Sequence, residues 1–260
     1  MRIAIGVSYD GAGFEGWQSQ PSRNTVQDRL EDALARIAGA PVRIAGAGRT
    51  DAGVHALAQV AHFDTAATRP ESAWVRGTNA FLPDRIAVQW AASVPDEFSA
   101  RYSALSRRYI YLLYCHAVRP ALLATRTGWY HAPLDLERMR EAAGCLVGRH
   151  DFSAFRSSRC QAKTPVRTLS RLSIEAHGPY LRFDLTANAF LHHMVRNLVG
   201  CLLYVGSARQ SAAWLAGVLE SRDRRLGAPT LSASGLYLAE IAYEPRWRLP
   251  QFPRIMPCLA

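Results

Sequence analysis

Arg49 and Asp51 flank Thr50 in the stretch Gly46-Ala47-Gly48-Arg49-Thr50-Asp51-Ala52-Gly53-Val54-His55. Three glycines in eight residues give this backbone access to positive φ and let another segment approach closely. A carboxylate presented from such a loop can act as a nucleophile or a base, or stabilise positive charge that develops on a reacting carbon. The guanidinium beside it can clamp a phosphate. The same string can also be a solvated turn closed by a salt bridge between the two side chains, so the pattern alone leaves chemistry and plain loop structure both open.

Other chemistries find less support. His55, His62, His192 and His193 invite a metal, but adjacent residues such as 192 and 193 project about 100° apart on a helix. Asp51 and His55 lie in a glycine loop with no ligand cluster around them. Five cysteines (Cys115, Cys145, Cys160, Cys201 and Cys258) are scattered and never spaced Cys-x-x-Cys, which reads as free thiols in a reducing cytosol rather than a zinc site or a disulfide framework. Gly11-Ala12-Gly13 lacks the third glycine of a dinucleotide fingerprint, and no Walker-type loop occurs. The expectation is a protein with no metal and no cofactor.

Lys+Arg exceed Asp+Glu by 31 − 21 = +10, and the pI is near 9.8. That balance points to a polyanionic partner, a nucleic acid or an anionic surface. Lys163 is the only lysine, a bias that codon usage explains as well as phosphate binding does. Hydrophobic residues at 49% and charged ones at 20% are a globular composition, and 260 residues suffice for one large domain or two ordinary ones. The chain enters a strand at once, without a basic-then-apolar leader, and has no apolar run long enough to span a bilayer. A soluble, cytoplasmic protein with no membrane association is expected.

The elements that must position the loop follow from periodicity. A strand over about 2–9 ends in the glycine-rich turn Asp10–Gln18, whose Phe14 and Trp17 are expected to plug a core. Asn24 is placed to cap a helix, with Gln27 as its capping-box partner, and Val26, Leu30, Ala33, Leu34 and Ile37 form its apolar stripe up to Gly39. Strands over 42–45 and 58–63 bracket the loop, and a helix near 71–81 and a strand over 86–92 complete a β-α-β-β-α-β-like unit. A second unit begins near 104 with the β-rich run 107–114. It continues with a helix opened by Asp135, a hairpin over 167–187, helices over 190–204 and 211–221, and a strand over 236–243. Hairpin connections in both units argue for α+β with largely antiparallel sheets. The division read from this pattern is 1–103, 104–248 and an irregular tail 249–260.

Seven strings, in order, resemble the tRNA pseudouridine synthase A (TruA) family. They are Tyr9–Gln18; Gly48-Arg49-Thr50-Asp51-Ala52-Gly53-Val54-His55; Gly77-Thr78-Asn79-Ala80-Phe81-Leu82-Pro83; Arg101-Tyr102-Ser103-Ala104 with Arg108-Tyr109-Ile110-Tyr111; Asp151–Phe155; Asn188–Asn197; and Ala233–Leu238. The resemblance covers nearly the whole chain. It implies two ferredoxin-like (RRM-like) halves whose sheets join across a central cleft holding the active site. It also implies isomerisation of uridine to pseudouridine at positions 38, 39 and 40 in the anticodon arm of tRNA, by a cofactor-free homodimer that binds tRNA across its two subunits.

Residue by residue, Asp51 matches the family's catalytic aspartate. Attack on C1′ and proton removal from C2′ both stay open, since either route needs the ionised form. Arg196 matches the cation that keeps this carboxylate ionised; on its own it could equally contact phosphate or a surface acid. Tyr109 matches the tyrosine that stacks on uracil and helps deprotonate C5, whereas without the resemblance it is a sheet-face aromatic. Leu236 corresponds to an apolar wall of the base pocket. Arg49 is implied to displace the target base and hold the flipped nucleotide, an extrusion that costs a few kcal/mol. Arg107, Arg108, Lys163 and Arg167 are further candidates for phosphate contact, with Arg23, Arg76, Arg156 and Arg159 behind them. Two positions depart from the pattern: Ala58 stands where glycine is expected and Ser99 where histidine or aspartate is usual.

A tRNA-binding protein without chemistry would need only the two α/β units and the charge. Asp51, Tyr109 and Arg196 together favour an enzyme, because a pure binder gains nothing from an acid beside phosphates. A base-releasing enzyme on the same scaffold would differ in liberating uracil.

Overall fold

The computed structural model describes residues 1–251. In chain order its strands are β1 (Arg2–Tyr9), β2 (Ala45–Gly46), β3 (His55–Asp64), β4 (Ile86–Val94), β5 (Ala104–Cys115), β6 (Gly128–Tyr130), β7 (Gly148–Asp151), β8 (Val166–His177), β9 (Tyr180–Ala187) and β10 (Leu236–Tyr243). The α-helices are α1 (Val26–Ala38), α2 (Leu136–Ala143), α3 (Met194–Gly206) and α4 (Ala212–Ser221). Two compact units emerge, Met1–Leu105 with the chain from Tyr237 onward, and Ser106–Leu236. The last strand, expected with the second half, thus belongs almost wholly to the first unit. Of the irregular tail, residues 252–260 lie outside the described residues.

In the first unit β1 pairs antiparallel with β3 and with β4, and β2 pairs antiparallel with the far side of β3. The order β4-β1-β3-β2 is that of a ferredoxin-like unit. β2 is only two residues long, although the sequence pattern favoured a strand over 42–45. The reason lies in α1. Glu31 Oε1 accepts the Ile44 amide at 3.0 Å and Gln27 reaches the Ile44 carbonyl at 3.5 Å. Side chains of the helix thereby take the bonds a partner strand would have made. β10 runs parallel to the start of β3, through Tyr237 beside His55 and Leu238 beside Ala56. The expected helix near 71–81 contains a π-turn over Ala73–Gly77, which turns Trp74 inward so that its ring meets Phe63 edge-on at 5.3 Å.

In the second unit the order is β5-β9-β8-β7, antiparallel throughout, with β6 parallel to β5. The β8–β9 hairpin turns on Gly178-Pro179, with Gly178 at φ 55°, the positive value a tight hairpin requires at its first turn residue. Asp135 and Ser211 cap α2 and α4 through their side chains. α3 is the core helix, with Leu198, Val199, Leu202 and Val205 buried. It begins at Met194 rather than near 190, because His193 takes a left-handed conformation (φ 66°).

α1 is capped one residue later than the sequence pattern implies. Thr25, fully buried, accepts the Asp28 amide at 3.3 Å, and its hydroxyl donates to the Asp28 carboxylate at 2.5 Å. Ser19 donates to the other carboxylate oxygen at 2.6 Å. Asn24 turns instead to the Gly13 carbonyl, and Gln27 accepts the Ser19 amide. Burial by itself would raise the Asp28 pKa, but the Ser19 and Thr25 bonds and the nearby Arg23 outweigh it and hold the group below its ordinary value. Thr25→Ala should cost about 1–2 kcal/mol in urea unfolding at neutral pH. Stability contributed by Asp28 is present above its unfolded pKa and is lost as pH falls through its lower folded value. Asp28→Asn should therefore flatten the stability profile below about pH 4.

Candidate active site

From β2 the chain follows β3 for two more residues. The Ala47 amide donates to the Val60 carbonyl at 2.8 Å. At Gly48 a side chain replaces the ladder, because the Gln59 carboxamide accepts from the Gly48 amide at 3.2 Å and donates to its carbonyl at 2.5 Å. Thr50 is next to be fixed, with its hydroxyl 2.8 Å from that of Tyr9 and its carbonyl accepting the Trp17 amide at 3.0 Å. Anchors at 48 and 50 with period two direct 49 and 51 the other way. Arg49 is accordingly exposed and Asp51 half-buried, while Thr50 is buried. A turn follows in which the Val54 amide donates to the Asp51 carbonyl at 3.1 Å, with Gly53 at φ 77°.

The Asp10–Gln18 turn is the floor of this loop. A Cβ on Gly11 would fall 2.0 Å from the Val54 carbonyl oxygen. Gly16, at φ 90°, would place one 2.6 Å from the Thr50 carbonyl oxygen. Trp17 is buried as expected, whereas Phe14 is only partly so. His55 is buried, with Nδ1 3.1 Å from both the Gly11 amide nitrogen and Asp10 Oδ1, and its ring stacks on Tyr237 at 4.7 Å. Ala58 keeps a negative φ, so glycine is not required of the backbone there.

The second unit carries the other candidates. Tyr109 is buried on β5 opposite Leu185, with Phe190 edge-on to its ring at 5.0 Å. Arg196 lies in the first turn of α3, where its Nε donates to the Leu231 carbonyl at 2.7 Å. A cation there adds to the positive end of the helix dipole, a placement that favours a nearby anion. Leu236 is buried directly after Gly235, whose hydrogen faces the Leu112 carbonyl so closely that a Cβ would lie 2.5 Å from it. Lys163 is exposed. Arg107 donates to the Asn188 carbonyl and Arg167 to the carbonyls of Thr164 and Val166.

Arg108 has a different occupation. Its Nε donates to Asp184 Oδ1 at 2.8 Å and its terminal nitrogen to Oδ2, which Arg182 also meets at 2.9 Å. Asp184 is buried. Burial would raise its pKa, but Arg108 and Arg182 reverse the effect and hold it below the ordinary value. His192 and His193 sit in the turn before α3 rather than on a helix, their ring centroids 4.0 Å apart. Helical spacing therefore does not separate them, contrary to the sequence argument. That Gln59 and Tyr9 hold the loop escaped the sequence reading, although Tyr9 opens the Tyr9–Gln18 string. Their spacing is that of ordinary strand residues, and only the register of β1 on β3 brings them under the loop.

A family model described as tRNA pseudouridine synthase matches residues 5–103 and 142–244. A tRNA pseudouridine synthase A from Paraburkholderia phymatum is 58% identical over 249 residues, covering 96% of this chain and 93% of that protein. One from Bordetella petrii is 59% identical over 250 residues, covering 95% and 93%. One from Aromatoleum aromaticum is 58% identical over 256 residues, covering 98% and 97%. The chain is a pseudouridine synthase, an isomerase, and belongs with the tRNA pseudouridine synthase A proteins of that family.

Arg108→Ala leaves Asp184 buried with one cation fewer. Stability should fall by about 2–3 kcal/mol, with tRNA affinity reduced less than two-fold at a temperature where the variant is folded. Denaturant titration and a binding isotherm on the same variant measure both effects.

Proposed function

We propose that the chain converts uridine to pseudouridine at positions 38, 39 and 40 in the anticodon arm of tRNA, with Asp51 as the catalytic carboxylate. The observation that carries this reading is the clamped segment Gly48–Asp51 in a chain of this family. Anchors at Gly48 and Thr50 turn Arg49 and Asp51 to the side opposite the Thr50 side chain. Breaking the glycosidic bond develops positive charge at C1′, and an ionised carboxylate stabilises it, by covalent attack or by removing the C2′ proton. The uracil then turns while bound and its C5 joins the ribose, so atoms balance without a cofactor.

Arg196 serves the ionised state of Asp51 in this reading, an assignment supported by its place at a helix N-terminus. Tyr109 stacks on the uracil and assists loss of the C5 proton. It is buried with Phe190 edge-on to its ring, an apolar setting suited to a nucleobase face. Leu236 supplies the apolar wall of the base site. Arg49 holds the flipped nucleotide, and exposed Lys163, with Arg107 and Arg167, meets phosphates; Arg108 contributes chiefly through Asp184. A homodimer in the cytoplasm completes the reading. Among the described residues no helix is long and apolar enough to cross a membrane.

Asp51→Asn should abolish pseudouridine formation while leaving tRNA affinity within about three-fold; turnover by this variant would sink the assignment. Arg49→Ala should lower kcat at least ten-fold, consistent with loss of a contact that offsets base extrusion. Affinity should fall as salt rises, through counterion release, and a flat response would exclude the basic surface as the docking face.

A further inference from the structure

We infer that the Tyr9 hydroxyl is a positioning group for catalysis, acting on Asp51 through Thr50 and reinforced by the Gln59 carboxamide. This rests on the reading of Asp51 as the catalytic carboxylate. Three buried polar side chains meet beneath the loop. Tyr9 and Thr50 share a hydrogen bond of 2.8 Å, and Gln59 binds both polar groups of Gly48. Gln59 is fully buried on β3, directly opposite Val7 of β1. An apolar side chain at 59 and phenylalanine at 9 would fill the same space without the cost of burying an amide and a hydroxyl. Their polarity is explained by what they hold.

The geometry gives each anchor a separate task. Gln59 imitates a strand partner for Gly48 and so continues the β2–β3 ladder by one residue. The register of β1 on β3 shifts between Val7 and Tyr9, which sets the Tyr9 ring next to Thr50 rather than in line with Gln59. Burial pushes the Tyr9 hydroxyl far above the ordinary tyrosine range, so it stays neutral and its bond to Thr50 is constant across the working pH. Thr50 is covalently joined to Asp51. Its side-chain bond to Tyr9 and its carbonyl bond to Trp17 together fix the peptide from which the carboxylate projects. A misplacement of about 1 Å at a reacting group is enough for a large loss of rate.

The test uses the full chain with Tyr9→Phe, Thr50→Val, the double variant, Thr50→Ser and Asp51→Asn. For each, kcat and KM are measured on a tRNA transcript, together with tRNA affinity and thermal midpoint. Tyr9→Phe and Thr50→Val should each lower kcat about ten-fold, with KM and affinity within two-fold, at a temperature where both are folded. The double variant should be no slower than the slower single, since both remove the same bond. Thr50→Ser, which keeps the hydroxyl, should recover most of the rate. If Thr50→Val does not fold, Tyr9→Phe carries the test alone, because it loses one buried oxygen and no packing volume. A kcat at the wild-type value in Tyr9→Phe, even with a lowered thermal midpoint, overturns the inference, as do single losses that multiply in the double variant. Asp51→Asn separates the two claims: turnover by that variant defeats the catalytic assignment itself, whereas an inactive Asp51→Asn beside a fully active Tyr9→Phe defeats only the positioning role.

Discussion

The Gln59 carboxamide occupies both hydrogen-bonding groups of Gly48, and on this contact the candidate site depends. A strand pairing at Gly48 would have kept the chain flat against β3. A side chain in that role gives the same two bonds yet lets the backbone leave the sheet one residue later. The period of an extended chain then does the rest, placing Thr50 toward Tyr9 and its neighbours outward. Glycine at 11 and 16 lets the first turn of the chain lie against this segment at distances no Cβ tolerates. Precision in the loop comes from contact with rigid backbone on one side and buried polar groups on the other.

The second unit shows why net charge is a poor map of the RNA surface. Several of its arginines hold the fold together. Arg156 binds the carbonyls of Cys160 and Ala162, Arg224 binds Asn197, Ala228 and Thr230, and Arg140 binds the Ile174 carbonyl. Arg108 and Arg182 share a buried aspartate. An excess of ten positive charges therefore sets a general attraction for polyanions, and that excess includes guanidiniums already committed to carbonyls and to a buried carboxylate.

Much of this was legible in the sequence where a local rule governed. The hairpin at Gly178-Pro179, the helix opened by Asp135, and the α+β class all follow from turn chemistry and periodicity. The sequence misled where two local options competed. Asn24 and Thr25 are both good caps, and the buried Asp28 decides between them through a contact that spacing does not reveal. Val42 and Ile44 alternate like a strand, but α1 takes the Ile44 backbone. The start of α3 depended on one left-handed histidine. The proposal of Asp51, Tyr109 and Arg196 as site residues rests on family resemblance, since nothing in composition distinguishes them from loop, sheet and surface residues. The role of Tyr9 and Gln59 stayed hidden because it exists only once β1 and β3 are in register.

The most direct measurement incubates wild-type protein with an unmodified tRNA transcript carrying uridine at 38, 39 and 40, maps pseudouridine by position, and assays free uracil in parallel. The account predicts pseudouridine at those positions and no uracil release. Uracil released without pseudouridine, or tight binding with neither product across several tRNAs, would contradict it.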